Sequence, residues 1–522
     1  MKSDRFIINN LKKAKRIENL ILKENNLKER LNLLQILALN YTDHVTGVYY
    51  SEFIEKQLIK ISQIIDFESI DEIEEEKDTV LHVMTRPCNI GGHTRVVNNW
   101  INFDSDRKYS ILINEIQNVK IPNWLKESVE KSGGSIILNK SNDLIEKAKF
   151  LAKCAMKYEK IVLHIHNQDM VPLIAFSNSS WKKPIYLYNH SDHKFWLGVS
   201  IADMVLDLTS GGMKMSIEKR GTKNNYVLPI PIMNEQEKPY EKINEKEKEA
   251  IKKRLELPNC SKIILSMADD YKYTNINKYN FGEFAKKVID INPNTYVLII
   301  GANNKALKWI RLNKTSGGRI RAEGIIDKED VCQYMKISDV YVDSFPANSY
   351  TSTLEAINYN IPSMSLKTPI FYLDALKDIR VNSEADMIFK INEILNNKDS
   401  FINMETKDRV AKNHYKENWC KILNKMFEIK ISHSVGLNIM INTNMNITDY
   451  ERFMYETHKK YETFPIKQFI RLSFINKVRI LFICRKEFFM SLKNVYKVPR
   501  KMKEVLIAHF ARENQSNYIS KL

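Results

Sequence analysis

Two series of short apolar runs, each alternating with helical patterns, constrain this chain more than any other feature. The first begins at Thr79 and comprises "TVLHVMT", "YSILIN", "GSIILN", "KIVLHIH", "PIYLYNH" and "MVLDLT". Helical segments such as "SNDLIEKAKFLAKCAMKY" stand between them. Strands covered on both faces read as such near-continuous apolar runs. Their alternation with helices predicts a mostly parallel sheet with helices on both sides. The series ends near "NYVLPIPI", where Pro229 and Pro231 break the pattern. A second series starts at Lys262: "KIILSMA", "TYVLIIGA", "GRIRAEGII", "DVYVDSFP" and "PSMSL". The predicted class is α/β, with two Rossmann-like domains in tandem facing a cleft. Ligands of open parallel sheets bind beyond the carboxyl ends of the strands, so function is expected in the loops that follow them.

Around this core lie two extensions. Residues 1–76 space their apolar side chains at helical intervals, as in "LKERLNLLQILALNY". The predicted domains are therefore a helical extension over 1–76, Rossmann-like domains over 77–235 and 236–430, and a basic helical extension over 431–522. The whole chain carries 80 Lys+Arg against 63 Asp+Glu, a formal +17. Over half of that excess lies after Phe464, where 13 Lys+Arg face 3 Asp+Glu. Such a balance favours acidic partners: nucleotides, phosphates, nucleic acid or anionic membrane. No nucleic-acid reading motif is visible, and nucleic acid is not expected. The mixed apolar and basic tail fits an anionic membrane surface, or a helix that packs back on the first domain. The six cysteines form no CxxC pair, which argues against a disulfide framework and for a reducing compartment. No secretory signal is evident at the start, and no run reaches the roughly 18 apolar residues of a spanning helix. A cytoplasmic protein is expected, peripheral on the membrane if the tail binds there.

The stretch "DSFPANSYTSTLEAINYN" joins an apolar run to a short helical pattern through a loop rich in hydroxyls. Ser349, Tyr350, Thr351, Ser352 and Thr353 all carry one. A helix N-terminus offers unpaired N–H groups and partial positive charge, and hydroxyls add donors, so a diphosphate fits. Glu355 is placed to accept from ribose hydroxyls. The same letters also spell a capping box, with Ser352 as N-cap and Glu355 reaching back to it.

With its neighbours, this stretch resembles a known family. "VYVDSFPANSYTSTLEAINYNIPSMSL" is similar to the donor-nucleotide motif of GT-B glycosyltransferases, and its D-x-F-P start to the O-GlcNAc-transferase-like group. "VLHVMTRPCNIGGHTRVVNNWI" resembles the first strand, Gly-rich loop and helix of GT-B amino-terminal domains. The resemblance spans roughly residues 78–420. It implies an acceptor domain first and a nucleotide-sugar domain second. Retaining members of the fold carry two glutamates eight positions apart; Glu355 matches the second, but Ala347 stands at the first. That departure points to inversion.

Further candidates follow from the loops after strands. Gly91 and Gly92 let the backbone come close to a ligand, and His93 opens the next helix; the resemblance places this loop at the acceptor and donor phosphate. Lys272, in "SMADDYKYTNINKYN", is placed to neutralise charge on a leaving diphosphate, although the family's loop Arg is absent. Tyr271 or Tyr273 either stacks on a base or packs. An inverting transfer needs a base for the acceptor hydroxyl, and histidine suits it near neutral pH. His190 comes first as candidate, with His166 and His193 behind and Asp192 to orient a neighbouring imidazole. His164 reads as a core histidine. The pair His190-x-x-His193 lacks a third ligand, so no metal is expected, and no cofactor beyond the nucleotide-sugar substrate.

The sequence thus predicts a hexosyl- or N-acetylhexosaminyl-transferase, inverting and metal-independent. It would move sugar from a nucleotide-sugar, UDP-linked, to a hydroxyl of a cell-surface glycan precursor or protein. Two alternatives stay open. One is a nucleotide-sugar epimerase; the other is a non-catalytic scaffold of this fold that stabilises a partner transferase. Donor sugar, acceptor and oligomeric state are not set by the sequence.

Overall fold

The two alternating series form two parallel sheets. The computed structural model describes residues 2–67, 74–88, 92–116, 119–232, 244–276, 278–370, 372–396, 404–436, 447–459, 464–485 and 487–488. Gly91 lies outside them, as does most of the basic tail. The chain divides into two units, one spanning Gly47–Thr457 and the other combining Met1–Thr46 with His458–Leu522.

In the larger unit the first sheet contains β1 (Glu76–Met84), β2 (Lys108–Ile113), β3 (Ile136–Leu138), β4 (Tyr158–His164), β5 (Ile185–Asn189), β6 (Met204–Asp207) and β7 (Asn225–Val227). Its order is β3-β2-β1-β4-β5-β6-β7, every pairing parallel. The second sheet contains β8 (Lys262–Met267), β9 (Thr295–Ile300), β10 (Ile320–Gly324), β11 (Val340–Val342), β12 (Ser363–Leu366) and β13 (Arg380–Val381). Its order, β10-β9-β8-β11-β12-β13, repeats the winding of the first, again all parallel. Each sheet therefore has a switch point, between β1 and β4 and between β8 and β11, where crossovers leave in opposite directions and open a crevice. The central strands are buried on both faces; all five residues of β5 and the last six of β1 are buried. That burial explains why they read as unbroken apolar runs.

A helix from beyond the second sheet crosses back onto the first. Trp419, in Lys416–Phe427, is fully buried against Trp100 and Phe103, with ring centroids 5.3 and 5.8 Å away. Its indole N–H donates to the Pro229 carbonyl at 2.7 Å. The chain then runs on over the first domain: His433 Nδ1 lies 2.8 Å from Asp203 Oδ2, and the Tyr49 hydroxyl donates to Glu451 at 3.1 Å. Trp419→Ala removes a large side chain from a filled core and orphans the Pro229 carbonyl. It is expected to cost about 3–5 kcal/mol in denaturant unfolding; a loss under about 1 kcal/mol would show that the crossing helix contributes little.

The smaller unit is helical. Lys2–Leu22 packs on Leu27–Asp43 and on Phe474–Ile483, and Ile466–Ile470 packs on Leu27–Asp43. The Tyr41 hydroxyl donates to Glu18 at 2.8 Å, and Lys13 pairs with Glu487. Phe464, Phe469 and Phe488 form an aromatic cluster with centroids 5.1–5.5 Å apart.

Candidate active site

The hydroxyl-rich loop lies at the switch point of the second sheet. β11 delivers Asp343 directly after its last residue, and the helix Tyr350–Asn358 begins seven positions on. Asp343 is fully buried and organises the turn. It accepts from the Ser349 N–H at 2.8 Å, from Asn348 Nδ2 at 3.1 Å and from the Tyr372 hydroxyl at 3.0 Å. Burial pushes its carboxyl up, and these donors pull it back down. The capping box does not form. Ser349, not Ser352, is the N-cap, without a side-chain cap bond, and Ser352 lies inside the first turn. The Ser349 hydroxyl donates instead to Ser352 Oγ at 3.1 Å.

Not all five hydroxyls face outward. Thr353 is fully buried and its hydroxyl donates to the Ser349 carbonyl at 3.1 Å, so of the hydroxyls expected to meet a diphosphate this one does not face the helix mouth. Tyr350 packs edge-on against Tyr372 at 5.5 Å. Ser349, Thr351 and Ser352 stay at the helix mouth, where the first N–H groups have no acceptor within the helix. Lys272 lies beside them, donating from Nζ to the Asn348 carbonyl at 2.7 Å. Burial pulls its ammonium down, while Asp343 and Asp269 hold it up. Tyr273 packs in the core, 4.9 Å from Phe281 and 5.6 Å from Trp309 by centroid. Ala347 is buried and presents no carboxylate at the position of the family's first glutamate.

The first domain meets this loop. A methyl group added to Gly92 would come within 3.1 Å of Thr351 Oγ1, so the absent side chain permits the approach. Three residues on, Arg95 Nη1 donates to Glu355 Oε1 at 3.0 Å, with both side chains about a third exposed. Glu355 is thus held by a cation from the other domain.

Behind Gly92 stands a string of imidazoles. His82 Nδ1 lies 2.9 Å from His164 Nε2, and His164 Nδ1 lies 2.9 Å from His190 Nε2. The sheet register makes this string. Met84 pairs with His164 and Leu163 with Leu187, and side chains two apart share a face. His82, His164 and His190 therefore step diagonally across β1, β4 and the end of β5. Trp100 and Tyr109 enclose the inner end, with centroids 5.1 and 5.3 Å from His82. His93 joins at the outer end, its ring centroid 4.2 Å from that of His190. Its Nε2 lies 3.0 Å from the His164 carbonyl. A carbonyl only accepts, so Nε2 carries the proton and a neutral His93 keeps a lone pair on Nδ1. Burial holds His82 down to about 3 and His93 to about 4, and takes His164 and His190 well below the ordinary imidazole range. All four are neutral near pH 7.

The other predicted histidines sit nearby. The backbone N–H of His166 donates to Thr85 Oγ1 at 2.8 Å, and its ring centroid is 6.2 Å from that of His93. His193 Nδ1 lies 3.2 Å from Asp192 Oδ1. The loop carrying His190 and His193 is clamped from beneath. Fully buried Arg220 donates from Nη2 to the Asp192 and Lys194 carbonyls at 2.7 and 2.6 Å. Its guanidinium lies 4.9 Å from the Trp196 ring and 5.5 Å from that of Tyr49. Among the described residues no three His, Cys, Asp or Glu side chains are grouped to hold a metal ion.

Two Rossmann-like domains facing a cleft, each with its loop at a switch point, define the GT-B fold. Solved structures agree. A glycosyltransferase from Rickettsia africae is similar at 13% identity and a TM-score of 0.51, over 68% of this chain and 98% of that one. Anabaena HepE, in complex with UDP and glucose, is similar at 10% identity and a TM-score of 0.51, over 67% of this chain and 99% of that one. No protein-family profile and no curated protein matches the sequence.

Proposed function

We propose that this chain is a glycosyltransferase that draws sugar from a nucleotide-sugar, UDP-linked, and places it on a hydroxyl of a glycan precursor or protein. The observation that supports this best is the meeting of Gly92 with Thr351. It sets His93, a neutral imidazole with an unprotonated nitrogen, one residue from a helix mouth built for a diphosphate. Transfer to a hydroxyl needs both together: an electrostatic cradle for the leaving group and a base for the acceptor proton.

In this reading the Tyr350–Asn358 N-terminus, Ser349, Thr351, Ser352 and Lys272 hold the diphosphate, with Arg95 close by. HepE is seen with UDP and glucose, which favours a UDP-sugar here. His93 takes the acceptor proton on Nδ1 as the hydroxyl oxygen attacks the anomeric carbon and the diphosphate leaves. Helix dipole and Lys272 stabilise the departing charge without a metal, and attack opposite the leaving group inverts the centre. His190 is a second reading for the base, favoured by its link to His164 and His82.

Thermal unfolding against a panel of nucleotides and nucleotide-sugars tests the donor site. Ligand at about 100 times its Kd adds roughly 2.7 kcal/mol of stability. Stabilisation by uridine nucleotides, weakened in Lys272→Met and in Thr351→Val, is the expected result. A chain that no nucleotide stabilises would sink the proposal.

A further inference from the structure

The helix Phe474–Ile483 of the smaller unit is amphipathic in an unusual sense. Its inner face is conventional: Asn476, Ile480 and Leu481 are buried. The outer face is apolar too. Phe474 is 72% exposed, Ile475 62% and Phe482 60%, and Ile470 just before the helix is 51% exposed. At about 100° per residue, Phe474, Ile475, Val478 and Phe482 fall on one side of the helix. Arg479 and, after the helix, Arg485 are exposed with them, and Arg471 is exposed beside Ile470. Among the described residues, Phe474–Ile483 itself carries no carboxylate, and Glu24 lies within electrostatic reach of Arg479. Glu24 and Glu29 are bound to the buried Asn476 amide at 2.8 and 2.9 Å, and Glu29 also accepts from the Ser473 N–H.

We infer that this face docks on an anionic lipid bilayer. The argument is charge complementarity joined to exposed apolar area. Aromatic and aliphatic tips at such exposure are costly in water and mark an interaction surface. Arginines among them suit one occupant in particular. Their stems lie along the apolar surface while the guanidinium heads reach lipid phosphate, as the rings enter the acyl boundary. The sequence carries the same sign in this part of the chain, with 13 Lys+Arg to 3 Asp+Glu over residues 464–522. Anionic headgroups attract such segments across about one Debye length.

Co-sedimentation of the full chain with vesicles tests this. Phosphatidylcholine alone is compared with phosphatidylcholine carrying one third phosphatidylglycerol, each at low and high salt. The chain is expected to sediment with the anionic vesicles, less so at high salt, and not with the neutral ones. Phe474→Ser with Phe482→Ser should lower partition by about tenfold or more, with an unchanged melting temperature, since both side chains lie outside the packed interior. Arg479→Gln, which removes charge without touching the apolar positions, should weaken binding by several-fold. Three results overturn the inference: no sedimentation with anionic vesicles, sedimentation that neither variant alters, or a solution dimer that the paired Phe variant converts to monomer. The last would assign the face to a second copy of this chain.

Discussion

Acidification from pH 7 to pH 5.5 is expected to remove about 5 kcal/mol of folding stability, most of the margin of an ordinary domain. The imidazole string supplies that loss, and His166 and His414, which burial also holds below the ordinary range, add to it in the same direction. His82 and His164 are fully buried and His93 and His190 half-buried, and desolvation holds each below the ordinary value of 6.5. In the unfolded chain each takes up a proton as pH falls through about 6.5; in the folded chain it does not. Unfolding is therefore favoured by protons throughout that window, by about 1.2 kcal/mol per histidine down to pH 5.5. Above pH 7 both states are neutral and the effect vanishes. Glu24, Glu159 and Glu487, held below the usual carboxylate range, add losses only at lower pH. Glu55, Asp207 and Asp343 act in the opposite direction, because burial raises them and the folded state then binds protons first. Denaturant midpoints at half-unit intervals from pH 7.5 to 5.5 measure the slope. His82→Leu isolates one member and should flatten it by about 1.4 kcal/mol per pH unit at the acid end. A wild-type slope near zero would mean that the string takes up protons without unfolding.

Much of the fold was legible because parallel sheets advertise themselves. Runs such as "PIYLYNH" are apolar at successive positions, since both faces of β5 are covered, and the helices between them fix the class. The hydroxyl-rich loop at the switch point was legible from its composition, but not which of its hydroxyls face outward. Thr353 and Ser352 are adjacent letters, and only the start of the helix at Tyr350 decides that one is buried and the other lies in the first turn. Asp343 was visible as the first letter of D-x-F-P, yet its role as the brace of the turn depends on Tyr372 and Ser365, distant in sequence. The histidines show the limit most clearly. His164 was read as a core residue, and it is fully buried, but it is also the middle of a hydrogen-bonded string. His82 carried no signal in "TVLHVMT". Strand register joins them, and register is set by pairings between strands far apart in the chain. The same holds for Arg95 and Glu355, whose ion pair crosses the cleft.

His93→Gln is expected to lower kcat by at least about a hundredfold, while KM for the donor changes little. Two observations set this ranking of the bases. The His93 proton is fixed on Nε2 by a carbonyl, so Nδ1 needs no tautomer change before it accepts. His190 is different. Its Nδ1 is basic only when Nε2 carries the proton and donates to His164, which must then donate to His82. That direction leaves a proton on His82 Nε2, a buried atom with no hydrogen-bond partner among the described residues. The reverse direction places a bare lone pair there and a proton on His190 Nδ1, which disarms it as a base. An orphaned N–H buried between Trp100 and Tyr109 is a cost that the His93 route avoids. The two routes separate cleanly by experiment. If His93 is the base, His82→Leu leaves kcat within a few-fold, and the rate stays flat from pH 8 down to the acid unfolding, because a base held near 4 remains unprotonated. If His190 is the base, breaking the string at His82 or His164 shifts the pH profile of kcat and lowers it as much as His190→Ala does, while His93→Gln retains most of the rate. Donor KM serves as the control in both, since the proposed mechanism gives the diphosphate to the other domain.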